Sequence, residues 1–165
     1  MRIWKFGNDV DTDVIIPGKY LVYYDPKELA QHAFEGTRND FAREVQPGDI
    51  IVAGRNFGSG SSREHAPLAL KGAGVQYIVA ESFARIFFRN AINIGLLPLV
   101  CADTSAITDG AQGELDPLKS ELVIDGHIYT LEPLPAFVRD IVNAGGLVEF
   151  ARNAELGLQC TVSHP

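Results

Sequence analysis

Basic residues are scarce. Against 21 Asp and Glu the chain sets only 14 Lys and Arg, a formal net charge of −7. Nucleic acids and anionic membrane surfaces are bound by clustered Lys and Arg that neutralise phosphates, so this balance argues against either partner. Cysteine is scarcer still. Cys101 and Cys160 are the two present, in neither a CxxC nor a Cys/His metal spacing, so these residues alone cannot hold an iron–sulfur cluster or a zinc ion, and a reduced cytoplasmic chain is the simplest reading. Long apolar runs are missing too. The longest, Ile94 to Val100, is broken by Gly95 and Pro98 and is far short of the ~20 residues a bilayer needs. The N-terminus passes from Met1-Arg-Ile-Trp-Lys-Phe directly into Asn8-Asp-Val-Asp-Thr-Asp, with no apolar stretch of the kind a signal peptide carries.

What is present is the composition of one globular domain: 165 residues, 46% of them hydrophobic, enough to bury a core without a disulfide or metal staple. Arg2 to Phe6 and Val14 to Ile16 have the length and content of short strands. Asp25-Pro26-Lys27-Glu28 reads as a helix start, with Asp25 as N-cap and Glu28 as the reciprocal carboxylate; apolar Leu29, Ala33 and Phe34 carry that helix toward Gly36. Ile50 to Ala53 is a buried strand, followed by a glycine-rich turn and a helix from Ser61 to Lys71. Tyr77 to Ala80 repeats the pattern, with Ser82 as N-cap of a helix through Asn90 that Gly95 stops, and Leu97 to Val100 follows as a strand. Buried strands flanking each helix imply parallel pairing with crossover helices on the sheet face. Leu122 to Thr130 is a hairpin about Asp125-Gly126, which suits a type I′ turn. A helix over Phe137 to Asn143, a last strand over Leu147 to Phe150 and an aperiodic, mobile tail over 157–165 complete the expectation.

The chemical signal is concentrated in Arg55-Asn-Phe-Gly58-Ser-Gly60-Ser61-Ser62-Arg63-Glu64-His65. It lies between a buried strand and a helix, where open α/β sheets bind ligands. Two glycines allow close approach of backbone, a helix terminus attracts an anion, and Arg63 suits a carboxylate or phosphate. The phosphate loop, the dinucleotide fingerprint and the GxSxG nucleophile elbow all fail here on spacing. Ser61 to Glu64 also fits a capping box, which requires no chemistry at all. Asp9, Asp11 and Asp13 open like a calcium loop, but Val14 stands where its glycine belongs and Tyr20 where its glutamate does; a solvated turn with Asx hydrogen bonds is the alternative. His65 reads equally as packing or acid–base residue. Arg85 and Arg89, one helical turn apart, are read as a solvated face, with a substrate or partner contact as the other option.

Phe57-Gly-Ser-Gly-Ser-Ser-Arg-Glu-His-Ala, Glu81-Ser-Phe-Ala-Arg-Ile, Gly95-Leu-Leu-Pro-Leu and Asn8-Asp-Val-Asp-Thr-Asp-Val-Ile-Ile-Pro together resemble the swivelling domain of the aconitase superfamily, and most closely the free-standing small subunits of 3-isopropylmalate dehydratases. The resemblance spans roughly residues 1 to 156. It implies an α/β fold, a swivelling β/β/α domain with a mixed, largely parallel sheet flanked by helices. It implies a separate large subunit carrying a [4Fe–4S] cluster, no cofactor in this chain, and a small dicarboxylate substrate. By the same resemblance Ser61 is the base, Ser62 and Arg63 bind substrate oxygens, and Asp13 supports the site. Leu21, Val22 and Tyr23 fall where relatives vary with substrate. Homoaconitase-type domains place an arginine near Val22; an apolar residue there favours an isopropyl group over a carboxylate. The implied activity is a hydro-lyase of leucine biosynthesis acting on isopropylmalate. Homoaconitase, a citraconate or dimethylmalate dehydratase, and a non-catalytic anion-binding regulatory module remain as alternatives, and a higher oligomer stays open.

Overall fold

The computed structural model describes the backbone of residues 1–161 and the side chains of residues 1–156. The tail expected over 157–165 lies outside the described side chains, and residues 162–165 lie outside the described backbone. Four strands, β1 (Ile3–Lys5), β2 (Ile50–Ala53), β3 (Tyr77–Ala80) and β4 (Leu97–Val100), form a sheet in that order, and every pairing is parallel. Parallel strands need crossovers, which explains why helices separate them. These are α1 (Thr12–Ile15), α2 (Pro26–Ala30) and α3 (Phe41–Glu44) between β1 and β2, α4 (His65–Gly72) after β2, and α5 (Arg85–Asn93) after β3. A second sheet, β5 (Gly113–Asp116), β6 (Glu121–Ile124) and β7 (His127–Thr130), is antiparallel. It is followed by α6 (Ala136–Asn143) and α7 (Leu147–Thr161).

The parallel strands read as unbroken apolar runs because both of their faces are buried. Alternate residues Trp4, Ile51, Ala53, Ile78 and Ala80 enter one core with Leu29, Phe34, Phe41, Ala66, Leu70, Phe87 and Ala91 from the helical side. Their neighbours Ile3, Ile50, Val52, Val79 and Leu99 enter a second core with Leu122, Ile124 and Leu131 from the antiparallel side. The result is antiparallel sheet, parallel sheet and helices in three layers, the β/β/α order expected. The parallel and antiparallel parts are two sheets, linked by isolated bridges such as Arg2 with Gln112 and Cys101 with Leu131. Asp49, buried at the base of β2, accepts hydrogen bonds from the Trp4 indole and from the backbone N–H groups of Arg2 and Gln46.

Most local expectations match. Asp25 caps α2, accepting from the N–H groups of Lys27 and Glu28; α2 itself ends at Ala30, though Ala33 and Phe34 are buried beyond it. The hairpin turn has positive φ at Asp125 and Gly126, 50° and 80°, as a type I′ turn requires. Four expectations fail. Val14 to Ile16 is no strand but the end of α1 and its C-cap, because Asp11 caps a single helical turn by accepting from Asp13 N–H. Leu147 to Phe150 opens α7 instead of forming a strand, since so short a run, with Glu149 among three apolar residues, suits either state and no strand edge among the described residues takes this one. α4 begins at His65, not Ser61, with Glu64 at its N-cap and no side-chain capping bond. α5 begins at Arg85 with Ala84 as N-cap, and the Ser82 hydroxyl instead accepts from Asn56 N–H.

Candidate functional site

The glycine-rich segment after β2 is held from two sides. On one side lies the Asp-rich turn after β1. Gly58 N–H donates to the Val10 carbonyl at 2.8 Å, Thr12 N–H to the Ser59 carbonyl at 2.7 Å, and Ser61 N–H to Thr12 Oγ1 at 3.0 Å. Thr12 is 3% exposed. On the other side lies the segment between β3 and α5: Phe57 N–H donates to the Ser82 carbonyl and Ala84 N–H to the Phe57 carbonyl. Ser61 is thus placed by a hydroxyl 49 residues away, and the capping-box reading gives way. Ser61 to Arg63 precede the helix as irregular backbone, so Ser61 is free of a capping bond.

The glycines are required by space as well as by conformation. At Gly58 (φ +79°) a Cβ would lie 2.1 Å from Phe87 Cγ, and at Gly60 (φ +96°) 2.4 Å from Asp11 Oδ2. Few L-residues adopt that φ range, and none could without displacing those neighbours. Asn56 and Asp9 also sit at positive φ and are tied by Asn56 Nδ2 donating to Asp9 Oδ1 at 2.9 Å. The acidic residues of this turn therefore act as caps and braces. No group of three or more His, Cys, Asp or Glu that could hold a metal occurs among the described residues.

An open cleft of about 480 Å³ runs past Ser61, lined by Gly58, Gly60, Ser61, Ala84, Arg85, Ile86 and Arg89. Ser61 is half-buried, Ser62 and Arg63 exposed. Arg63 Nη1 stands 3.6 Å from Asp13 Oδ1, both side chains in solvent, and the Ser62 carbonyl accepts from Asn90 Nδ2 at 3.2 Å. Ser61, Ser62, Arg63 and Asp13 are therefore gathered at one edge of the sheet. The segment Leu21 to Tyr23 divides: Leu21 packs against the helical-side core, whereas Val22 is 73% exposed and Tyr23 more than one third exposed. Tyr20 anchors it, its ring stacked on His32 at 3.6 Å and its hydroxyl donating to Glu35. Lys19 and His32 also bond Glu35. Hydrogen bonds from Lys19, then Tyr20, then His32 hold the Glu35 carboxyl down at about 2. Sequence reasoning missed Thr12, whose only signal was its place beside Asp11 and Asp13. It read Arg85 and Arg89 as a solvated face, with a substrate or partner contact as the other option; both are exposed, and both also line the Ser61 cleft.

A family model of the aconitase C-terminal domain matches residues 9–104, which span the Asp-rich turn, the glycine segment and α5. The chain belongs to the aconitase C-terminal domain family. Its relatives in this family include 3-isopropylmalate dehydratase small subunit 1 of Archaeoglobus fulgidus, 57% identical over 154 residues, 92% of this chain and 96% of that protein. The isopropylmalate/citramalate isomerase small subunit of Methanocaldococcus jannaschii is 51% identical over 92% of each. A crystal structure of 3-isopropylmalate dehydratase from Methanocaldococcus jannaschii superposes with a TM-score of 0.92 at 47% identity, covering 97% of this chain and 96% of that one.

An iron–sulfur cluster, the group the family resemblance implies for the assembled enzyme, does not fit this aconitase-type domain's own described residues. Cys101 is buried, its thiol is pushed up by burial, and it donates to the Asp103 carbonyl, with no second thiol beside it among the described residues. Nor is any helix of the described residues long and apolar enough to cross a membrane.

Proposed function

We propose that this chain is the small subunit of a hydro-lyase that interconverts 2-isopropylmalate and 3-isopropylmalate by removing and re-adding water, working in the cytoplasm with a large subunit that carries the [4Fe–4S] cluster. The observation that supports this reading most is Ser61 presented without a capping bond, on a backbone braced by Thr12, at the lip of a cleft rich in arginine. The names of the relatives given above agree with it, and one of them, the isopropylmalate/citramalate isomerase small subunit, also names citramalate.

The chain's part in the reaction is the proton. Ser61 Oγ takes a proton from one substrate carbon as the hydroxyl on the neighbouring carbon leaves, protonated, as water; on rehydration water gives its hydroxyl to the carbon that lost the proton and Ser61 returns a proton to the other. A serine hydroxyl does this only where its alkoxide is stabilised. No side-chain base bonds Ser61 Oγ among the described residues, so stabilisation falls to the positive field of the surrounding guanidinium groups. Arg63, with Asp13 limiting its swing, would bind a substrate carboxylate together with Ser62. Val22, exposed at the tip of its segment, would meet the isopropyl group when the subunits close, and burial of that group contributes roughly 25 cal/mol per Å².

The test is Ser61→Ala in the complex reconstituted with its large subunit. Turnover should fall by several orders of magnitude with KM little changed, because a base acts on the transition state more than on binding. Near-normal turnover would refute the assignment.

A further inference from the structure

The Ser61 cleft has a basic wall that Arg63 does not supply. Arg63 is engaged by Asp13 and lies outside the cleft lining, whereas Arg85 and Arg89 are both exposed and both line it. Being four residues apart on α5, they project from the same face of the helix. Like charges at that spacing repel, and Arg85 sits in the first turn, where the helix dipole disfavours a cation. Arg38, by contrast, is held by both Asp40 and Asp109. No carboxylate pairs with Arg85 or Arg89 among the described residues. α5 has no acidic residue in its first turn. Glu81 and Glu132 border the groove on the other flank of α5, which both arginines also line, yet neither reaches salt-bridge range. Glu81 is instead engaged by the Thr104 N–H and hydroxyl.

Two guanidinium groups thus stand in an unfavourable place beside the proposed catalytic serine, with no carboxylate among the described residues to neutralise them. A ligand carrying negative charge would remove the repulsion. Their position is set by the same packing that sets Ser61: Gly58 lies against Phe87, midway between the two arginines on α5, so loop and arginines form one unit.

Resting on the function proposed above, we infer that Arg85 and Arg89 form a second carboxylate subsite, separate from Arg63, which holds the far carboxylate of the dicarboxylate and so fixes the substrate carbon against Ser61. A molecule with two carboxylates then has two basic anchors, one on the segment that carries the serine and one on α5.

The experiment uses the reconstituted two-subunit enzyme with Arg85→Gln, Arg89→Gln, the double variant, and Arg85→Lys as a charge-retaining control. Loss of a charge-assisted hydrogen bond should raise KM for isopropylmalate about tenfold or more per arginine, and kcat should fall as well, because the same guanidinium groups stabilise the Ser61 alkoxide. Inhibition constants for isopropylsuccinate and its monomethyl esters provide the second readout. In the wild type, at least one monoester should bind about tenfold or more weakly than the diacid. In the double variant that gap should close to under threefold, and Arg85→Lys should recover part of it. Unchanged KM and an undiminished diacid-to-ester gap would overturn the inference. So would a weakened affinity between the subunits with normal KM at saturating large subunit, which would make these arginines a docking contact. If Ser61→Ala loses turnover while the arginine variants keep the gap, only this inference fails; if Ser61→Ala is active, the functional reading itself has failed.

Discussion

Thr12→Val removes one acceptor while keeping the shape of a side chain that is 3% exposed. The Thr12 Oγ1 acceptor lies 3.0 Å from Ser61 N–H, and this bond ties the glycine-rich segment to the turn after β1. An unpartnered N–H costs about 1–3 kcal/mol when buried. Ser61 is only half-buried, so water can approach, and the lower end applies: about 1 kcal/mol. With a urea m-value of about 1–3 kcal/mol/M, the unfolding midpoint should drop by roughly 0.3–1 M. Trp4, the chain's single tryptophan and fully buried, reports that transition by its fluorescence. With Ser61 as the proposed base, the effect on catalysis should be larger, because a base displaced by about 1 Å can lose on the order of 100-fold in rate. Thr12→Ser separates the two effects. It keeps the acceptor but leaves a methyl-sized void, so it should lose about 1 kcal/mol of stability while retaining kcat in the complex. If valine keeps kcat within twofold, or serine loses as much turnover as valine, Thr12 does not position Ser61.

Gly58→Ala should destabilise by about 2–5 kcal/mol, combining the cost of a positive φ with a Cβ 2.1 Å from Phe87 Cγ. Adding Phe87→Leu should recover part of it in a double-mutant cycle, and additive effects would refute the steric account. Glu35 has a carboxyl held at about 2 against 4.5 ordinarily, so its contribution to stability is full above about pH 4.5 and disappears as pH falls toward 2. Melting curves of wild type and Glu35→Gln should therefore converge across that window; a constant difference down to pH 2 would refute the linkage. Val22→Arg should shift the kcat/KM ratio at least about tenfold from isopropylmalate toward a homologous tricarboxylate in the complex, and an unchanged ratio would mean that the segment does not face the substrate.

What the sequence determined by itself was local or periodic. The apolar runs of β2, β3 and β4 were legible because strands buried on both faces need no polar alternation, and the Asp125-Gly126 turn because few other pairs adopt its dihedrals. The glycine-rich segment stood out by its motif, and the structure gathers its Ser61, Ser62 and Arg63 at one edge of the sheet. Short, largely apolar runs were not legible. Val14 to Ile16 and Leu147 to Phe150 fit either helix or strand, and only a neighbouring edge, or the Asp11 cap, decides between them. The starts of α4 and α5 were misplaced for a related reason: Ser61 and Ser82 are good caps locally, but Ser61 N–H is drawn to Thr12 and the Ser82 hydroxyl to Asn56 N–H, from elsewhere in the chain. The brace on Ser61 spans 49 residues, and Arg85 and Arg89 reach its cleft only because β2 and β3 pair in parallel and end at the same edge. Such juxtapositions leave no trace in local pattern, since they arise from strand register and packing between elements, which tertiary structure alone sets.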